Sequence, residues 1–155
     1  MRNIFLPIIS LVLFLNSAFA DTVLSDNHAE VLVENSFARE SIPGTSISSA
    51  YMAISNISTK DLRLISATST VTDRIEIHEH TMVDGLMRMR QREFVDISTK
   101  DTVLFQPSGL HLMIFDLKQP LKAKESIIIT LHFDDESSID VNYIIKGLKQ
   151  KKHHH

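Results

Sequence analysis

The chain has no cysteine and no tryptophan among its 155 residues. Without cysteine there is no disulfide framework and no thiol redox chemistry. A thiolate cannot serve as metal ligand either. Aromatic residues make up only 6% of the chain, so a core must be assembled from Ile, Val, Leu and Phe. Charge of one sign is lacking too. Removing Arg2 with the leader described below leaves 15 basic against 19 acidic residues. That mild acidity gives no basis for nucleic acid or an anionic membrane surface as partner. Beyond the leader no stretch is apolar enough to span a bilayer. No segment sustains a 3.6-residue apolar period over three turns, which argues against helices.

Residues 1–20 read as a secretory signal peptide. Arg2 is the basic n-region, Ile4 to Leu15 the apolar h-region, and Ala18-Phe19-Ala20 the small-residue cleavage signal. A mature chain starting at Asp21 is expected in the periplasm. Residues 21–29 are polar and expected to be a flexible N-terminus, 30–146 a single domain, and 147–155 a Lys/His-rich tail. The ending Lys151-Lys152-His153-His154-His155 reads equally as a tag remnant or as a native metal-collecting tail. If native, His153, His154 and His155 would suit Cu(II).

Short β-branched runs with turn signals between them fill the domain. They are Glu30–Phe37, Ser48–Ile54, Leu62–Ala67, Arg74–His80, Leu86–Arg92, Thr102–Phe105, Leu110–Phe115, Ser126–Phe133 and Ile139–Ile145. Eight or nine such strands predict an all-β protein, a sandwich or Greek-key barrel.

The chemistry-bearing residues cluster mid-chain. Four methionines, Met82, Met87, Met89 and Met113, lie near three histidines, His78, His80 and His111. Thioethers are soft, neutral ligands that suit Cu(I), and imidazole suits copper in either oxidation state. Met ligands need no deprotonation, whereas Cys must lose a proton to bind metal. Asp84-Gly85 between two alternating runs predicts a two-residue type I′ hairpin. In that register, facing residues have numbers summing to 169. His80 then faces Met89, Met82 faces Met87, and His78 faces Gln91. Side chains two apart share a face, so His78, His80, Met82, Met87 and Met89 would line one side. The other side carries Ile75, Ile77, Arg88 and Arg90, too mixed to be wholly core. His111 and Met113 form a second i,i+2 pair, pointing away from the apolar stripe of Leu110, Leu112 and Ile114. Taken singly, each donor has a bland reading, since Met is usually core filler. Met52 and His132 sit in apolar runs and are expected to be structural, and His28 incidental.

At these residues the chain resembles the PCu(A)C family of periplasmic copper chaperones. The family pattern is His, ten residues, Met, twenty-one residues, His-x-Met, and His78, Met89, His111 and Met113 match every spacing. The flanking segments IEIHEHTMVDGLMRMR, PSGLHLMIFDLKQPLK and ITLHF are also similar. Departures are minor: Glu125 stands where Gly is common, and Ser108 replaces the first Gly of a Pro-Gly-Gly. The resemblance implies a cupredoxin-like Greek-key β-sandwich or barrel with Cu(I) held by two His and two Met. It implies delivery to the CuA subunit of cytochrome c oxidase, often beside a Sco-type protein. The family spacing nominates His78, whereas the hairpin register places His80 across from Met89. A longer loop spanning Met82 to Leu86 would change that register. His80 and Met87 therefore stand as alternates.

A blue-copper electron carrier is set aside because its site requires a Cys thiolate. A hydrolase or dismutase would favour His and carboxylate ligands with an open position, so the protein is not expected to be an enzyme. A copper buffer without a dedicated acceptor and a metal-free β-sandwich interaction module remain alternatives. A monomer is expected.

Overall fold

A computed structural model describes residues 28–148. The expected signal peptide, most of the expected flexible N-terminus and the terminal histidines lie outside the described residues. Of residues 21–29, His28 forms an isolated bridge with Ser138, and buried Ala29 donates its backbone N–H to the Ser138 carbonyl.

Ten strands make up the fold, with no helix among the described residues. They are β1 (Val31–Arg39), β2 (Ser48–Asn56), β3 (Leu62–Thr68), β4 (Arg74–Val83), β5 (Leu86–Arg92), β6 (Val95–Ile97), β7 (Thr102–Phe105), β8 (Leu110–Phe115), β9 (Ser126–Phe133) and β10 (Ser138–Lys146). Nine of them correspond to the nine β-branched runs. The tenth, β6, is three residues long and carries too little pattern to read. All ten join one hydrogen-bonded sheet in the order β5-β4-β8-β7-β2-β1-β10-β9-β3-β6, and β8 also pairs with β2. The β1–β10 and β7–β8 pairs are parallel and the rest antiparallel.

One buried apolar cluster receives side chains from every strand except β5. It unites Ile77 of β4 with Leu62 and Leu64 of β3, strands far apart in the sheet order. The sheet therefore curls over itself, and its inner face encloses the core. This is the cupredoxin-like architecture expected. Met52 is buried there and accepts a hydrogen bond from the Tyr143 hydroxyl (2.8 Å). Burial pushes the Tyr143 phenol well up, so it stays a donor. His132 meets the Thr68 hydroxyl at 2.8 Å, consistent with a structural role.

In β1 the strand alternation breaks. The register slips between Glu34 and Phe37, where Asn35 adopts φ 54°. A bulge of this kind adds a residue and reverses which side chains face inward. Val31 and Ala38 are buried inward, while Phe37 packs on the Tyr51 ring at 5.0 Å between centroids.

Candidate metal centre

The site is built on three neighbouring strands, β5, β4 and β8. Asp84 and Gly85 both have positive φ, 52° and 76°, as a type I′ turn requires. The turn fixes the predicted register: His78 faces Gln91, His80 faces Met89, and Met82 faces Met87. The longer loop that would have changed this pairing is overturned. A two-residue turn leaves Met82 and Leu86 inside the ladder, and Val83 faces Leu86.

On its other side β4 pairs with β8, which sequence could not foresee. His78 faces His111, Glu76 faces Met113, Ile77 faces Leu112, and Ile75 faces Ile114. Facing residues share a side of the sheet. Ile77, Leu112 and Ile114 are buried in the core, with Ile75 packed against it. Glu76, His78, His80, His111 and Met113 thus occupy the outer side, with Met82, Met87 and Met89 beside them. The mixed side of the hairpin is now explained. The core ends at β4, and β5 is an edge strand exposed along its whole length. Its Arg88, Arg90 and Arg92 face Thr81, Glu79 and Ile77, and Arg92 pairs with Glu79 at 3.1 Å. Such charges discourage pairing with another chain.

Hydrogen bonds decide which ring nitrogens can act as ligands. His78 Nε2 lies 2.7 Å from Glu76 Oε2. An ionised carboxylate only accepts, so Nε2 carries the proton and Nδ1 of the neutral ring carries the lone pair. His78 Nδ1 is buried with no partner among the described residues, as is His80 Nδ1. An orphaned buried polar atom costs about 1–3 kcal/mol, so each calls for an explanation. His111 Nδ1 donates to the Gly109 carbonyl at 3.0 Å, which leaves its Nε2 lone pair free. That carbonyl also accepts the His80 backbone N–H at 3.2 Å.

Carboxylate or carbonyl bonds of this kind are how proteins orient metal-binding imidazoles. Arg74 completes the support, with Nε and Nη2 each 2.8 Å from Glu76 Oε1. The His78 hydrogen bond, aided by Arg74, holds the Glu76 carboxyl below its usual range despite the opposing effect of burial. His111 is only 3% exposed. Burial pushes its pKa down and the neighbouring His80 and His78 push the same way, against the Gly109 bond. It is therefore neutral near pH 7 and able to donate a lone pair.

Aromatic rings wall the pair. Phe115 lies 5.9 Å from His78, and Tyr51 lies 6.3 Å from His111. Sequence reading missed Glu76, Tyr51 and Phe115. Glu76 alone had a local signal, its i,i+2 spacing to His78. His78 and His111 are 5.9 Å apart and inclined at 51°. His80 instead stacks on His111 at 5.0 Å and 24°, so those two rings present faces to each other. Met113 follows His111 by two residues on the same face. Met89 is the diagonal neighbour of His78, about 7–8 Å away between backbones, within reach of a long side chain. Among the described residues no three His, Cys, Asp or Glu side chains are arranged to hold a metal ion.

The fold is shared with known proteins. The copper-bound PCuAC domain from PmoF2 superimposes with a TM-score of 0.66 at 16% identity, covering 78% of this chain and 96% of that one. CuI-DR1885 from Deinococcus radiodurans has a TM-score of 0.59 at 27% identity, covering 76% and 81%. The fold is therefore that of the PCuAC domains, in agreement with the resemblance carried by the ligand spacing. Residues 31–145 match the family described as "Putative lipoprotein LpqE-like", and the chain belongs to that family. It is also 28% identical over 104 residues to "Putative lipoprotein Lxx21020" of Leifsonia xyli subsp. xyli. The chain spans 63% of the length of that relative. Among the described residues no helix is long and apolar enough to cross a membrane.

Proposed function

We propose that the protein is a periplasmic copper chaperone. It holds Cu(I) through His78 Nδ1, His111 Nε2 and the sulfurs of Met89 and Met113, and passes it on without catalysing a reaction. The observation that carries this reading is the pair of oriented lone pairs. Glu76 and the Gly109 carbonyl each fix the tautomer of one imidazole. The lone pair of His78 is left buried with no partner among the described residues. Soft methionines on the same face supply the remaining donors. The relatives named for copper, the PmoF2 domain and CuI-DR1885, support the choice of ion.

All four donors are neutral, so the bound ion gains no thiolate bond. An acceptor with thiolate ligands can take it by ligand exchange, with Met113 or Met89 displaced first. The CuA subunit of cytochrome c oxidase fits that description, with a Sco-type protein as a second partner. A copper buffer without an acceptor would use the same donors. Oxidase maturation in a deletion strain separates the two, because a buffer leaves CuA assembly intact in copper-replete medium. The direct test is an anaerobic Cu(I) titration against a chromophoric chelator, comparing wild type with His111→Ala/Met113→Leu. One tight equivalent that is lost in the variant is expected. Undiminished competition by the variant would sink the ligand set.

A further inference from the structure

The hairpin tip carries three methionines that packing does not explain. Met82 is 69% exposed, Met87 56% and Met89 41%. Methionine usually fills core gaps, yet β5 contributes nothing to the core. Met82 and Met87 face each other directly, one pair beyond His80 and Met89 on the same side of the ladder. The two-residue turn holds that register. Facing side chains in such a ladder start about 5 Å apart at Cβ, close enough for two thioethers to converge on one ion. Met89 follows Met87 by two residues, so it can join either that pair or the inner histidines.

We propose that Met82 and Met87, together with Met89, form a second, outer Cu(I) site through which the inner site is loaded and emptied. The inference rests on the Cu(I) reading of the inner site. Thioethers alone bind a soft monovalent ion reversibly and without deprotonation. The exposed tip meets a donor or acceptor first, and the buried imidazoles lie further along the same face. Movement inward is ligand exchange at constant oxidation state. Bonds from copper to the Met82 and Met87 sulfurs break as bonds to His78 Nδ1, His111 Nε2 and the Met113 sulfur form. Met89 sulfur stays bound during this inward move, and on the outward path Met113 is the first donor displaced. Neither a proton nor an electron moves, because every donor is neutral.

The test uses the full chain with 13C-labelled methionine methyl groups, titrated anaerobically with Cu(I) beyond one equivalent. The first equivalent is expected to shift the Met89 and Met113 methyl signals, and further Cu(I) those of Met82 and Met87. In Met82→Leu, which removes no inner-site donor or alternate, the affinity for the first equivalent is expected to be unchanged. Loading from a Cu(I)–chelator complex is expected to slow about tenfold. Silent Met82 and Met87 signals with an unchanged loading rate, while Met89 and Met113 respond, would overturn the outer site alone. Silence of Met89 and Met113 as well would remove the copper reading and this inference with it.

Discussion

The two faces of the β4–β8 pair differ by a single step along each strand. Ile75, Ile77, Leu112 and Ile114 face inward and join the core. Glu76, His78, His111 and Met113, interleaved with them, face outward and form the candidate centre. The same backbone hydrogen bonds hold both sets. The site therefore inherits its geometry from the core, because any slip in register would exchange the two faces. The inner face spends its side chains on burial, and packing satisfies it. The outer face keeps two buried imidazole nitrogens, His78 Nδ1 and His80 Nδ1, without a partner among the described residues, a cost that a ligand relieves.

If the faces divide labour this way, substitutions on each should separate stability from binding. The largest stability effect belongs inside. Leu112→Ala removes a fully buried side chain and is expected to cost about 2–5 kcal/mol in urea unfolding. A loss well under 1 kcal/mol would mean that the core does not set the position of His111. Outside, Glu76→Gln takes away the carboxylate that orients His78. Cu(I) affinity is expected to fall about 10–100-fold while the urea midpoint barely moves. Equal affinity would show that His78 needs no such support, and would favour His80 as the ligand.

The smallest effect lies away from both faces, at the β9–β10 turn. A hydrogen bond from Ser137 depresses the Asp135 carboxyl below its usual range, assisted by Lys60 and opposed by burial. A depressed folded-state pKa adds stability above the unfolded pKa, about 3.9 for Asp, and that stability is lost as pH falls through the folded value. Asp135→Asn is therefore expected to lower stability by about 1 kcal/mol at neutral pH and to flatten the acid limb. Copper affinity should be untouched. An unchanged acid limb would contradict the assignment.

Local signals in the sequence were enough for nine strands and for the hairpin register. Asp84-Gly85 dictates a turn with two positive φ angles, and alternation dictates which residues share a face. The spacing of His78, Met89, His111 and Met113 also stood in plain view. Long-range pairing did not. Nothing local says that β4 lies beside β8, so the opposition of His78 to His111 became visible only in the fold. Phe37 belonged to a run read as continuously alternating, and the bulge at Asn35 turned it outward onto Tyr51. Glu76 was missed. Its role depends on Arg74 and His78 meeting it from either side.

The most direct measurement is X-ray absorption at the copper edge on protein loaded anaerobically with one equivalent of Cu(I). The account predicts a first shell of two nitrogen and two sulfur scatterers, and loss of both nitrogens in His78→Ala/His111→Ala. A shell of nitrogen and oxygen alone, or one unchanged in that variant, would contradict it.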